Sequence, residues 1–153
     1  MNLISRLLIL SLLFYGCSAE KFTLRSTLIT LTGDTFDLDV KVLITNDTAF
    51  ARSYVRQHLD SNVTTEDFNC RAVTFGTIDG KSPIIWMPYN SSVEILNHEL
   101  LHATLDVMKW AGISLNDSTE EVYAYEMQHL TKELYNQTNH NMEQSMFLPK
   151  NFK

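Results

Sequence analysis

The chain is short of cysteine, glycine and proline, and each shortage closes off a class of structure. Two cysteines in 153 residues, Cys17 and Cys70, cannot build a disulfide scaffold. If Cys17 is removed with a leader or acylated, Cys70 is left without a partner in the domain. Five glycines and three prolines leave no linker or low-complexity segment, and there is no internal repeat. Lysine and arginine are also scarce: 12 against 18 acidic residues give a net charge of -6. No basic run interleaved with aromatics occurs, which argues against a nucleic-acid partner. What remains is 44% hydrophobic and 20% charged, the composition of one compact domain with a core of its own.

Against this background one stretch carries chemistry. Asn97-His98-Glu99-Leu100-Leu101-His102-Ala103 reads HExxH. On an α-helix, residues four apart sit one above the other, so His98 and His102 can present two imidazoles to one ion. Glu99 then lies beside the metal, placed to take a proton from a bound water. The surrounding Val93, Ile95, Leu96, Leu100, Leu101, Leu105, Val107, Met108 and Trp110 leave this helix apolar on nearly every side, as expected at the centre of a domain. Burying two histidines and a glutamate there calls for pairing or metal coordination.

The N-terminus has the order of a signal peptide. Arg6 precedes the apolar run from Leu7 to Tyr15, and small residues follow at Gly16-Cys17-Ser18-Ala19. The run is too short for a bilayer-spanning helix, which needs about 20 residues. It predicts export, with residues 1–19 as the leader. Cleavage after Ala19 would give a soluble domain, whereas acylation of Cys17 would tie the domain to a membrane by a lipid anchor. Asn-x-Ser/Thr sequons at Asn46, Asn62, Asn90, Asn116 and Asn136 matter only in a eukaryotic secretory pathway.

Beyond the leader, Phe36, Leu38, Val40, Val42 and Ile44 mark the alternation of a half-buried strand. With Phe22 to Leu31 and the turn Thr32-Gly33-Asp34 it predicts a hairpin. Asp47 caps an expected helix to about Leu59, with Phe50, Tyr54 and Leu59 toward the core. After a polar stretch from Asp60 to Asn69, segments 71–78 and 82–87 flank Asp79-Gly80 and predict a second hairpin. Pro83 and Pro88 place its second strand at or near a sheet edge, where an extended peptide could be held by main-chain hydrogen bonds. Ser91 and Glu94 form a capping box for the central helix, which Gly112 stops. A third helix opens at Ser118, apolar along Tyr123, Met127, Leu130 and Leu134. Beyond it, residues 137–153 read as a polar tail.

Catalytic zinc takes three protein ligands and leaves a position for water. The metzincin continuation requires Gly and His where Leu105 and Met108 stand, so that class is excluded. A glutamate on the next helix is the other common solution, and Glu120 and Glu121 are both available. Helical periodicity sets Glu120 nearer the apolar stripe, and Ser118 with Glu121 forms a capping box that would occupy Glu121 otherwise. Asp106, four residues past His102, could orient a ligand imidazole. Tyr125 and His129 could line a cleft, and His58 and His140 have no assigned role.

His98-Glu99-x-x-His102 followed by Glu121-x-x-Ala124-Tyr125 resembles the glutamate-zincin (gluzincin) pattern in reduced form. It is similar to small zincin-like proteins encoded by tailed phages of gut bacteria, over residues 21–135. The resemblance implies His98, His102 and Glu121 as Zn2+ ligands and Glu99 as the catalytic residue that activates water. Larger gluzincins have an aspartate where Tyr125 stands. The expectation is an α+β, zincin-like domain over residues 20–136. Two hairpins would merge into a small, mainly antiparallel sheet, with three helices, the central one carrying HExxH. Its function would be zinc-dependent hydrolysis of peptide or protein substrates. The competing class is a non-catalytic phage structural or envelope-associated protein with a structural or lost metal site.

Overall fold

The alternation at Val40–Thr45 builds the strand on which both cores rest. The computed structural model describes residues 26–33, 36 and 38–142; the proposed leader lies outside them. The strands are β1 (Ser26–Leu31), β2 (Val40–Thr45), β3 (Val73–Phe75) and β4 (Ile84–Met87). They form one mixed sheet in the order β1-β2-β4-β3. Three α-helices join them: α1 (Thr48–His58), α2 (Val93–Trp110) and α3 (Glu120–Met142). The class is α+β. Among the described residues, no helix is long and apolar enough to cross a membrane.

Both expected hairpins are present. β1 and β2 pair antiparallel from Ser26↔Thr45 to Leu31↔Val40, and β3 and β4 pair antiparallel from Val73↔Trp86 to Phe75↔Ile84. They merge through a parallel pairing of β2 with β4, Lys41↔Ile84 to Ile44↔Met87. In the first hairpin the second strand starts later than its alternation suggests. Leu38 lies outside the ladder, buried in the core, with Phe36 packed against that core. In the second hairpin, Asp79 and Gly80 both have positive φ (51° and 73°) and Lys81 N donates to Ile78 O at 2.9 Å. Positive φ at both central residues is the primed two-residue turn that Asp-Gly favours.

β4 lies near the edge of the sheet but not at it. β4 lies inside the sheet between β2 and β3, and all four of its residues are buried. Pro83 and Pro88 flank the strand instead of interrupting it, so neither removes a donor from its ladder, and Pro83 O accepts from Lys41 N at 3.0 Å. The edge beside the HExxH helix is β3. At the other edge, α3 covers β1: Gln137 Nε2 donates to Thr30 O at 2.8 Å, and His129 Nε2 lies 3.0 Å from Thr32 O.

β2 is buried on both faces, not one. Val40, Val42 and Ile44 join Ile85, Leu100, Ala103, Val107, Leu130 and Leu134 beneath α2 and α3. Leu43 faces the other way, into a second core with Ala51, Val55, Phe68, Ile84 and Trp86 under α1. Asp47 caps α1 as expected, accepting from Phe50 N at 2.9 Å. The buried stripe of α1 is Ala51, Val55 and Leu59. Phe50 is 42% exposed; Tyr54 packs against the α1-side core as expected, and its ring also meets those of Phe50 and His58. Inside the polar stretch, Glu66–Phe68 forms a 3-10 turn that sets Phe68 edge-on to Trp86, ring centroids 5.1 Å apart.

Two helix starts differ from expectation. α2 begins at Val93 with Ser92 at the cap position, and Ser91 Oγ donates instead to Arg71 O at 3.3 Å. α3 begins at Glu120, after a turn in which Ser118 N and Oγ both donate to Asn116 Oδ1, at 2.9 and 2.5 Å. No capping box from Ser118 to Glu121 forms. The end of α2 follows the glycine: Gly112 has φ +77°, Gly112 N donates to Lys109 O, and Ile113 N donates to Met108 O. These are the two bonds of a Schellman motif. α3 continues to Met142, past the expected end at Gln137. Its buried stripe is Tyr123, Glu126, Leu130 and Leu134, with a glutamate where Met127 was expected.

Candidate metal centre

α2 lays Leu96, Leu100, Ala103 and Val107 on the sheet, and the histidines emerge on its open side. His98 and His102 are exposed, which corrects the reading of α2 as a fully buried helix. Their Nε2 atoms lie 3.1 Å apart, with the rings edge to face. Two nitrogens that each sit roughly 2.0–2.1 Å from one tetrahedral ion stand about 3.3 Å apart. The imidazole pair therefore fits a shared metal with little adjustment. Without a cation between them, one ring must donate and the other accept.

Glu99, the next residue on α2, turns toward the edge strand β3 and is 8% exposed. Thr74 of β3 meets it there. The Thr74 hydroxyl lies 2.8 Å from Glu99 Oε2 and 2.9 Å from Glu99 O, donating its one proton between them. His98 and Glu99 line one cleft of about 360 Å³ with Arg71, Ala72, Glu94 and Ile95. It opens beside the edge strand β3. Neither Thr74 nor Arg71 is marked by the HExxH motif. A polar residue beside Val73 and Phe75 in a short strand was the available signal for Thr74.

Two titratable groups near the site are perturbed: Glu94 in the cleft wall and Cys70, one residue before Arg71. The Ser92 hydroxyl, helped by Glu94's own backbone N–H, holds the Glu94 carboxyl below the usual carboxylate range. Cys70 is a free thiol at the surface, donating to Asp67 O at 3.5 Å. Partial burial raises its pKa above the ordinary thiol value. The backbone at Ala72 opposes the rise, and the charges of Glu99 and Asp67 reinforce it. A thiol held protonated is a weak metal ligand and a weak nucleophile at neutral pH.

Glu120 and Glu121 are both exposed on the first turn of α3. Among the described residues, no third His, Cys, Asp or Glu gathers with the two histidines into a metal-holding group. Asp106 makes no hydrogen bond to His102; its carboxylate lies over Gly76, where a methyl group would stand 2.5 Å from Oδ2. Tyr125 and His129 line a separate hollow on α3, with Lys132 among its other residues. His58 stacks on Tyr54 at 4.3 Å, and the side chain of His140 lies outside the described residues. No family model, no curated protein and no solved structure matches this chain.

Proposed function

We propose that this domain is a zinc-dependent peptide-bond hydrolase of the minimal gluzincin type, with a zincin-like fold. The observation that carries the reading is the 3.1 Å approach of His98 Nε2 to His102 Nε2, with Glu99 in the cleft that His98 also lines. In this proposal His98 and His102 hold Zn2+ and Glu121 is the third ligand. Zinc held there would lower the pKa of a water and polarise the scissile carbonyl. Glu99 takes the proton of the attacking water and returns it to the leaving amine. The open edge of β3 beside the cleft suits an extended peptide, which would add to the ladder by main-chain hydrogen bonds. The short leucine-rich N-terminus supports export of the domain.

The test is cleavage of a broad peptide library by the zinc-loaded full chain and by Glu99→Gln. Hydrolysis is expected from the wild type and lost in the variant, with zinc content unchanged. Equal cleavage by both would refute the mechanism.

One observation favours a second reading. The two histidines satisfy one another across 3.1 Å, and no third acidic or thiol ligand joins them among the described residues. That arrangement suits a non-catalytic zincin-like protein, a phage structural or envelope component whose metal is structural or lost. Chelation separates the two: it would unfold a domain that needs its metal for stability, and would stop activity in a still-folded domain whose metal is catalytic.

A further inference from the structure

We infer that Thr74 is the positioning residue for Glu99, fixing the proposed general base from the edge strand; this rests on the hydrolase reading above. Thr74 and Glu99 are 25 residues apart in sequence and belong to different elements, so nothing local obliges them to meet. The ladder puts Thr74 opposite Ile85. Its neighbours Val73 and Phe75 pack into the α1-side core, so the alternation of the strand turns Thr74 toward α2. There its hydroxyl reaches both the carboxylate and the main-chain carbonyl of Glu99, at 2.8 and 2.9 Å.

One hydroxyl proton shared between the carboxylate and the carbonyl makes a three-centre contact that holds both acceptors of Glu99 near one point of β3. The contact to Glu99 O registers β3 against the helix, and the contact to Oε2 fixes where the carboxylate points from that turn. A β-branched side chain on a strand is itself stiff about χ1, so little freedom remains in the clamp. A free Glu99 would have several rotamers to search in a cleft lined by Arg71 and Glu94, whose charges pull and push a mobile carboxylate. Positioning of a reacting group is worth large factors in rate, and partners that orient groups at a metal site commonly contribute about 10- to 100-fold.

The test uses the full chain as wild type, Thr74→Val and Thr74→Ser, with Glu99→Gln as reference. Without metal, the 13C signal of the Glu99 carboxyl is assigned by its loss in Glu99→Gln. Thr74→Val is expected to displace or broaden it, and Thr74→Ser to restore it. With zinc, Thr74→Val is expected to lower kcat on a cleaved peptide by about 10- to 100-fold, with KM and zinc content close to wild type. Thr74→Ser should recover most of the loss. If Thr74→Val fails to melt cooperatively, Thr74→Ala takes its place. An unmoved carboxyl signal, or a kcat within twofold of wild type, overturns the positioning role and leaves the hydrolase reading standing. A zinc-loaded wild type that cleaves nothing defeats the hydrolase reading, and with it any catalytic role for Thr74. The carboxyl signal still reports whether the clamp exists.

Discussion

Glu126 Oε1 lies 3.2 Å from the point that a Cβ of Gly33 would occupy, so the buried carboxylate of α3 packs directly on the connection between β1 and β2. The same Cβ would stand 2.7 Å from Phe36 O and 2.9 Å from Leu38 O. Two of these three neighbours are backbone atoms that cannot swing aside. Gly33→Ala should therefore destabilise the domain by about 1–3 kcal/mol, the usual cost of forcing a group into filled space. Urea unfolding would show a lower midpoint at unchanged slope. An unchanged midpoint would contradict the close packing at Gly33.

Asp47→Ala removes the acceptor of Phe50 N at the start of α1 and should cost about 1 kcal/mol. α1 packs on the opposite face of the sheet from α2. Zinc uptake by this variant should therefore equal that of the wild type. A loss of metal alongside the loss of stability would show that the two faces are coupled.

The Cys70 thiol, raised chiefly by burial, should be alkylated by iodoacetamide with a pH midpoint above that of the urea-unfolded chain. The fold favours the neutral thiol, so this contribution is present below the unfolded pKa and is lost as pH rises through the folded one. Because the Glu99 charge adds to the rise, Glu99→Gln should lower the midpoint. A folded midpoint at or below the unfolded one contradicts this placement of Cys70 beside Glu99.

The parts of this fold legible in the sequence are those set by local chemistry. Asp79-Gly80 dictates its turn, Asp47 its cap, and Gly112 the end of α2. The four-residue spacing of His98 and His102 is enough to bring their rings together. Tertiary context decides the rest. Prolines on either side of β4 read as an edge signal, but they bound a strand that is interior because β3 pairs outside it. The second buried face of β2 depends on α1 returning over the sheet, which alternation alone does not reveal. The α3 stripe includes Glu126 because that helix packs on the Gly33 connection, a contact between distant segments. The same holds for Thr74, whose contact with Glu99 arises only where β3 meets α2.

X-ray absorption fine structure of the zinc-loaded protein reads which atoms the proposed site on His98 and His102 gives to its metal. Bound zinc is expected with two imidazoles at about 2.0–2.1 Å and oxygen in the remaining positions. His102→Ala should lose one imidazole, and Glu121→Gln should weaken zinc retention. A protein that retains no zinc after dialysis, or a sulfur neighbour at about 2.3 Å pointing to Cys70, would contradict it.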